Sequence, residues 1–239
     1  MDYSYGNLAY AEREDIPQLN EVSTSNERDN RPRRSIYRVV KRTMDVVLSF
    51  LIFVMVVPGF LVIMLLINKE DQGPAFYRAK RVGHNGQTIR VLKFRSMKVN
   101  ADHLEDMLTP EELELYRKEY KLEHDPRITK IGKFLRRYSL DELPQLVNVL
   151  KGDMSLVGPR PLVQEEVESK YSPAHRRQLL SVRPGMTGLW QVNGRSDCTY
   201  ESGERQKLEL SYVKNFSCKM DVEILLRTVG VVLSKVGAR

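Results

Sequence analysis

From Val46 to Ile67 the chain runs 22 residues without a charged side chain. No polar face recurs at helical spacing inside that run, as it would in an ordinary surface helix. At 1.5 Å per residue such a helix reaches about 33 Å, enough to cross the hydrocarbon core of a bilayer. A long polar stretch precedes the run and no small-residue cleavage site follows it, which excludes a signal peptide. The pattern predicts a membrane helix. Pro58-Gly59 lies just past its middle, where a missing backbone donor predicts a kink.

Beyond residue 70 the pattern shortens and becomes mixed. Residues 75–77 and 88–94 read as strands around the turn Gly83-His84-Asn85-Gly86. Thr109-Pro110-Glu111-Glu112 reads as an N-cap, a proline at the first helical position and a capping box, opening a helix to about Glu123. Ser139-Leu140-Asp141-Glu142 has the S-x-x-E form of a second capping box, with the helix stopping at Lys151-Gly152. Pro144, five residues past that cap, predicts a distorted first turn. Arg183-Pro184-Gly185 has the order of a type II turn. Val192-Asn193-Gly194-Arg195 reads as a tight hairpin turn. A last helix runs from Asp221 to Lys235 and is too apolar for a free surface, so it packs on the domain or lies in a membrane interface. The fold class is α+β, mostly helical. It is expected to combine a membrane-embedded helix with a polar domain that holds a small β element and interfacial amphipathic helices. The expected organisation is an acidic, polar disordered tail (1–34), a basic flank with the membrane helix (35–68) and that polar domain (69–239).

Charge changes the reading of the apolar run. The chain carries a net +7, yet residues 1–30 hold seven acids against Arg13 and Arg28, leaving about +12 on the rest. A basic body suits an anionic partner. Arg31, Arg33, Arg34, Arg38, Lys41 and Arg42 flank the run on its N-terminal side, which the positive-inside rule places in the cytoplasm. Arg78, Lys80 and Arg81 follow on the other side and lead into the main domain. Basic flanks at both ends predict a helix that enters and leaves on one face, bent at Pro58 and Gly59. Cys198 and Cys218 have no CxxC spacing, and the four histidines show neither HxxxH nor HExxH, so neither a zinc site nor a disulfide framework is expected. The basic residues are scattered, and a single tryptophan gives no stacking platform, which argues against nucleic acid. No GxxxxGK[ST] or GxGxxG occurs, so the phosphate-binding scaffolds built on those motifs are not expected.

Two clusters could carry chemistry. Asp141 and Glu142 follow Arg136 and Arg137 at a predicted helix N-terminus, where unpaired N–H groups gather anions. The same acids would also serve merely to complement the helix dipole. Arg160 sits between Pro159 and Pro161, a rigid mount for a guanidinium that grips phosphate, or simply a rigid linker. Lys93 and Arg95 alternate on a predicted strand and would extend the positive field. An anchored, non-catalytic binding protein for anionic lipid would share the basic body and apolar anchor, but leaves Asp141-Glu142 and the Arg160 mount without a purpose.

Five motifs in order resemble the bacterial sugar transferase family. They are KRTMD (41–45), KFRSM (93–97), SLDELPQL (139–146), LKGDMSLVGPRP (150–161) and RPGMTGLWQVNGR (183–195). The likeness covers about residues 36–239. Members are monotopic polyprenyl-phosphate sugar-1-phosphate transferases that start glycan assembly. The resemblance implies transfer of a sugar phosphate, glucose or galactose, from a UDP-sugar to undecaprenyl phosphate with release of UMP, as the first step of exopolysaccharide or capsule synthesis. It implies Asp141 as the nucleophile, Glu142 as metal ligand or base, magnesium as cofactor held by Asp141 and Glu142, and substrate contacts from Lys93, Arg95, Arg136, Arg160 and Asp221. It implies that 69–239 is a cytoplasmic catalytic domain behind a re-entrant membrane helix at the inner membrane, with a homo-oligomer and downstream glycosyltransferases as further partners. Where the family often has serine before the kinking proline, this chain has Val57. The bend then rests on Pro58, with Gly59 beside it.

Overall fold

The computed structural model describes residues 31–120, 122, 124–193 and 199–234. The acidic segment 1–30, Glu123, residues 194–198 with Cys198, and Lys235 lie outside them.

The apolar run forms the middle of one 40-residue helix, α1 (Arg31–Glu70), which contains Pro58. Residues 31–34, expected in the tail, are its first turn. Helical structure continues through Pro58, which stands inside this one helix. A proline removes one ladder donor, and the turns on either side hold the helix together. One stripe of α1 packs on the polar domain along nearly its whole length. Asp45 and Ser49 are buried, as are Phe60 and Ile67 further along, and Leu48, Phe53, Val56, Ile63 and Met64 pack between them. The opposite stripe, including Phe50, Leu51, Val54, Met55, Leu61 and Leu65, is exposed.

Polar contacts fix both ends of α1. Near its start, Arg42 donates to the carbonyls of Val149 and Leu150 at 2.6 and 2.8 Å, and Asp45 accepts the Leu156 N–H at 3.0 Å. At its far end, Glu70 accepts the N–H groups of Lys130 and Ile131 at 2.6 and 2.7 Å. A carboxylate there satisfies orphan donors of the helix that starts at Lys130.

The second predicted strand forms as expected and the first, expected at 75–77, runs on to Val82, giving an antiparallel hairpin of β1 (Phe76–Val82) with β2 (Thr88–Phe94), in register from Phe76↔Phe94 to Val82↔Thr88. The turn between them holds Asn85 and Gly86 at positive φ, as Asn-Gly readily allows. Next come α2 (Leu104–Met107), α3 (Pro110–Glu119) and α4 (Lys130–Arg137). The Thr109 cap and its reciprocal bond to Glu112 are present as predicted, but α3 ends at Glu119 with Tyr120 in the left-handed region. A 3₁₀ segment (Leu140–Gln145) leads into α5 (Leu146–Lys151), which stops at Gly152, φ 92°.

Then follow β3 (Ser155–Val157), α6 (Gln164–Lys170), α7 (Pro173–Leu179), β4 (Gly185–Thr187), α8 (Leu189–Asn193), α9 (Glu204–Asn215) and α10 (Cys218–Ser234). β3 and β4 pair in parallel, Ser155 opposite Gly185 and Val157 opposite Thr187. Two expected turns become other structures. Gly185 lies in β4 without positive φ, so Pro184-Gly185 does not form a type II turn. Val192 and Asn193 close α8, and the rest of the expected hairpin turn lies outside the described residues. The main core joins Ala79 and Val91 of the hairpin to Leu146, Val149, Leu156, Val157, Tyr212 and Ile224. The hairpin, the acid-bearing 3₁₀ segment and the Arg160 loop thus share one floor.

Candidate active site

The Asp141-Glu142 pair stands on a tighter coil than predicted. Ser139 does not cap it: its φ is 55°, in the left-handed region, and its side chain makes no capping bond. Pro144 supplies the reason. An α-helical ladder would pair the Leu140 carbonyl with an N–H at residue 144, and proline has none. The chain instead closes i→i+3, with the Glu142 N–H on the Ser139 carbonyl at 3.2 Å, and regains α-geometry at Leu146. Successive residues of a 3₁₀ coil point about 120° apart. Asp141 therefore turns inward and is buried, while Glu142 stays half-buried.

Each acid meets its own set of cations. Arg136 donates to Ser96 Oγ at 2.9 Å from the last turn of α4. Burial pushes the Arg136 guanidinium down, and the nearby Asp141 and Asp125 carboxylates oppose that shift. Close approach of α4 to the end of β2 depends on Gly132, where a Cβ would lie 1.9 Å from the Ser96 carbonyl oxygen. Glu142 Oε1 accepts from Lys93 Nζ at 2.9 Å and lies 4.0 Å from Arg160 Nη1. Arg160 comes from the Pro159–Pro161 mount after β3, and its guanidinium lies 5.7 Å from the Trp190 ring centre.

These groups open on a cleft lined by Arg81, Lys93, Glu142, Gln145, Arg160 and Gln191, among others. Three cations face it against one carboxylate. Arg81 was not foreseen as a site residue. Burial, then the charge of Arg160, push its guanidinium down. The strand register could have revealed it, because Arg81 sits opposite Ile89, two pairs along the ladder from Ala79↔Val91 and so on the same, core-facing side.

Two expected contacts lie elsewhere. Arg95 is just past β2, buried, and its guanidinium bonds the Asp71 carbonyl and pairs with the Asp71 carboxylate at 3.8 Å. It ties down the exit of α1 rather than joining Lys93. Asp221 is fully buried and accepts from Tyr37 at 2.7 Å, Lys41 at 3.0 Å and Tyr212 at 2.7 Å. It pins α10 and α9 to the start of α1.

Among the described residues, no three or more His, Cys, Asp or Glu side chains gather as a metal cage. Two neighbouring carboxylates remain. That donor set fits magnesium, which commonly takes one or two carboxylates and completes its shell with substrate phosphates and water.

A family model described as "Bacterial sugar transferase" matches residues 36–235. An uncharacterized sugar transferase of Haemophilus influenzae is 48% identical over 84% of this chain and 42% of its own length. The exopolysaccharide production protein ExoY of Sinorhizobium fredii is 44% identical over 83% of this chain and 88% of its own. The undecaprenyl-phosphate galactose phosphotransferase of Salmonella typhimurium is 44% identical over 84% of this chain and 42% of its own. The chain thus spans less than half the length of two of these relatives and most of the third. With the matching region running from α1 through the acid pair and the Arg160 mount to α10, the chain belongs to the bacterial sugar transferase family.

Proposed function

We propose that this protein transfers the phosphosugar of a UDP-hexose to undecaprenyl phosphate, producing the lipid diphosphate sugar and UMP. The observation that carries the reading is the cleft: Arg81, Lys93 and Arg160 converge on it with Glu142 beside the buried Asp141. A diphosphate supplies the negative charge those cations lack, and fixed cations stabilise charge developing at phosphorus. The name of the Salmonella relative supports both the lipid acceptor and galactose as the first sugar to try.

In the proposed chemistry an Asp141 carboxylate oxygen attacks the sugar-bearing phosphorus. The bond from that phosphorus to the bridging oxygen breaks, and UMP leaves with the electron pair. A phosphate oxygen of the lipid then attacks the same phosphorus and frees Asp141. Arg160, Lys93 and Arg81 hold the diphosphate, and Arg136 holds the field around Asp141. Asp141 and Glu142 would hold magnesium, which would supply positive charge to neutralise the phosphates. Burial of Asp141 shields its mixed anhydride from water. The test is magnesium-dependent UMP release from UDP-galactose and UDP-glucose with added undecaprenyl phosphate. Release with either sugar is expected. No release from any of a panel of UDP-sugars would leave a binding protein.

Packing of α1 on the polar domain supports work from a single membrane face, and the basic flank argues for the cytoplasmic one. The same polar domain packs on α1 from Tyr37 to Glu70. A helix crossing both leaflets would drag those charged partners into hydrocarbon, where they are costly. A re-entrant α1 with only its exposed stripe in lipid avoids that cost. Val222, Leu226 and Val229, exposed along one face of α10, would lie at the interface. In a chain without its two cysteines, Asn20→Cys and Arg78→Cys should react with an impermeant maleimide only from the cytoplasmic side. Labelling of Asn20→Cys from outside alone would establish a full crossing.

A further inference from the structure

Behind the cleft, the loop that carries Arg160 rests on a buried polar cluster that the proposed transfer does not use. Glu209 on α9 is 2% exposed, and both its carboxylate oxygens lie 3.2 Å from the Arg160 backbone nitrogen. One turn earlier, the Arg205 guanidinium lies between the rings of Trp190, at 4.3 Å, and Tyr200, at 4.1 Å. It donates to Glu166 of α6 at 2.9 Å, and the Tyr200 hydroxyl donates to the same oxygen. Trp190 also faces the Arg160 guanidinium. Three elements, α6, α8 and α9, therefore meet behind one loop and hold Arg160 by its backbone and by its side chain.

The covalent chemistry of that loop makes the Glu209 contact decisive. Proline has no backbone N–H, so the Pro159-Arg160-Pro161 tripeptide owns a single backbone donor, that of Arg160. Glu209 takes it. A buried carboxylate is a costly acceptor for one amide, and a neutral side chain would leave less charge to compensate. What ionised Glu209 adds is a charge-assisted bond, stronger than a neutral one.

We infer that Glu209 is a positioning residue: through the only N–H of the Pro-Arg-Pro mount it holds Arg160 at the cleft, and so sets affinity for the diphosphate of the nucleotide sugar. This rests on reading the cleft as the UDP-sugar site. Burial pushes the Glu209 carboxyl up to about 7, against the opposing pull of Arg205 and Arg160, with Glu166 adding to the rise. Tyr171 also faces it. Ionised Glu209 prevails above about pH 7, and protonation below that value weakens the grip. The KM for UDP-sugar should therefore rise as pH falls from about 8 to about 6, with kcat changing less. Stability runs the other way. A carboxyl whose folded pKa exceeds its unfolded one makes the folded state take up a proton between the two values, so ionised Glu209 costs stability above about pH 7.

The experiment uses the full chain in nanodiscs with UDP-galactose, or whichever UDP-sugar the wild type turns over. Glu209→Gln keeps shape and one carbonyl acceptor but removes the charge. Its KM should rise roughly tenfold, the loss expected for one charge-assisted bond. Its KM should also be flat between about pH 6 and about pH 8, and its Tm at about pH 8 equal to the wild type's or higher. Wild-type KM and wild-type pH dependence in the folded variant would overturn the proposal. A second reading needs no change at Glu209. Calorimetric affinity of Asp141→Asn for UDP-galactose should weaken from about pH 8 to about pH 6, and a constant affinity would equally overturn it. A wild type that neither turns over nor binds any UDP-sugar would remove the cleft reading, and this proposal with it.

Discussion

Asp141→Asn should reduce turnover by at least about a thousandfold, the scale expected when a nucleophile that forms a covalent intermediate is lost. The substitution preserves size in a buried position, so the 3₁₀ segment and α5 should keep their form. It removes the attacking oxygen charge and one of the carboxylates that oppose the burial of Arg136. Two measurements separate these effects. UMP release should vanish with or without lipid acceptor. Intact mass after incubation with UDP-sugar alone should show a phosphosugar adduct on the wild type and none on the variant. Glu142→Gln should behave differently, because Glu142 pairs with Lys93 and lies beside Arg160 and is not the proposed nucleophile. It should weaken substrate use while leaving an adduct detectable. Normal turnover by Asp141→Asn would remove Asp141 as nucleophile.

Local chemistry explains which parts of this arrangement were legible in the sequence. The Thr109 capping box, the β1–β2 hairpin and the stop at Gly152 each depend on residues a few positions apart. The proline that distorts the Asp141 turn was visible, but its consequence was not. Ser139 had the spacing of a cap, and the 3₁₀ coil took it to positive φ instead. Pro184-Gly185 had the form of a turn, yet Gly185 was drawn into a parallel pair with a strand lying before α6 and α7 in the chain. Asp221 and Arg95 carried charges suited to a substrate, and distant partners on α1 and in the loop after it took them up. Glu209 and Arg205 stand four residues apart on α9. Their burial follows from α6 and α8 closing over α9, which no local spacing reveals.

Gly185→Ala should destabilise the protein by about 3 kcal/mol or more, at the upper end of what overpacking costs. A Cβ at Gly185 would lie 2.1 Å from the Gly158 nitrogen, 2.5 Å from the Thr187 oxygen and 2.6 Å from the Gly158 Cα. All three are backbone atoms, and no rotamer change can clear them. The strands would have to part. That would strain the bonds from Gly158 N–H to Thr187 and from Gly185 N–H to Pro159, at 2.9 and 2.8 Å, which seat the Arg160 mount. For a chain of this size the Tm should fall by roughly 6–12 °C, read by thermal unfolding in nanodiscs. Gly230→Ala is the control. Its Cβ meets nothing within 4 Å on α10, and alanine in a helix should hold or raise the Tm. Equal Tm values for Gly185→Ala and the wild type would show that the strands yield without cost. Below its own transition the folded fraction of Gly185→Ala should still lose kcat/KM. The displaced strand carries Arg160 out of line with Lys93 and Arg81, so the defect should appear as a raised KM for UDP-sugar before it appears in kcat.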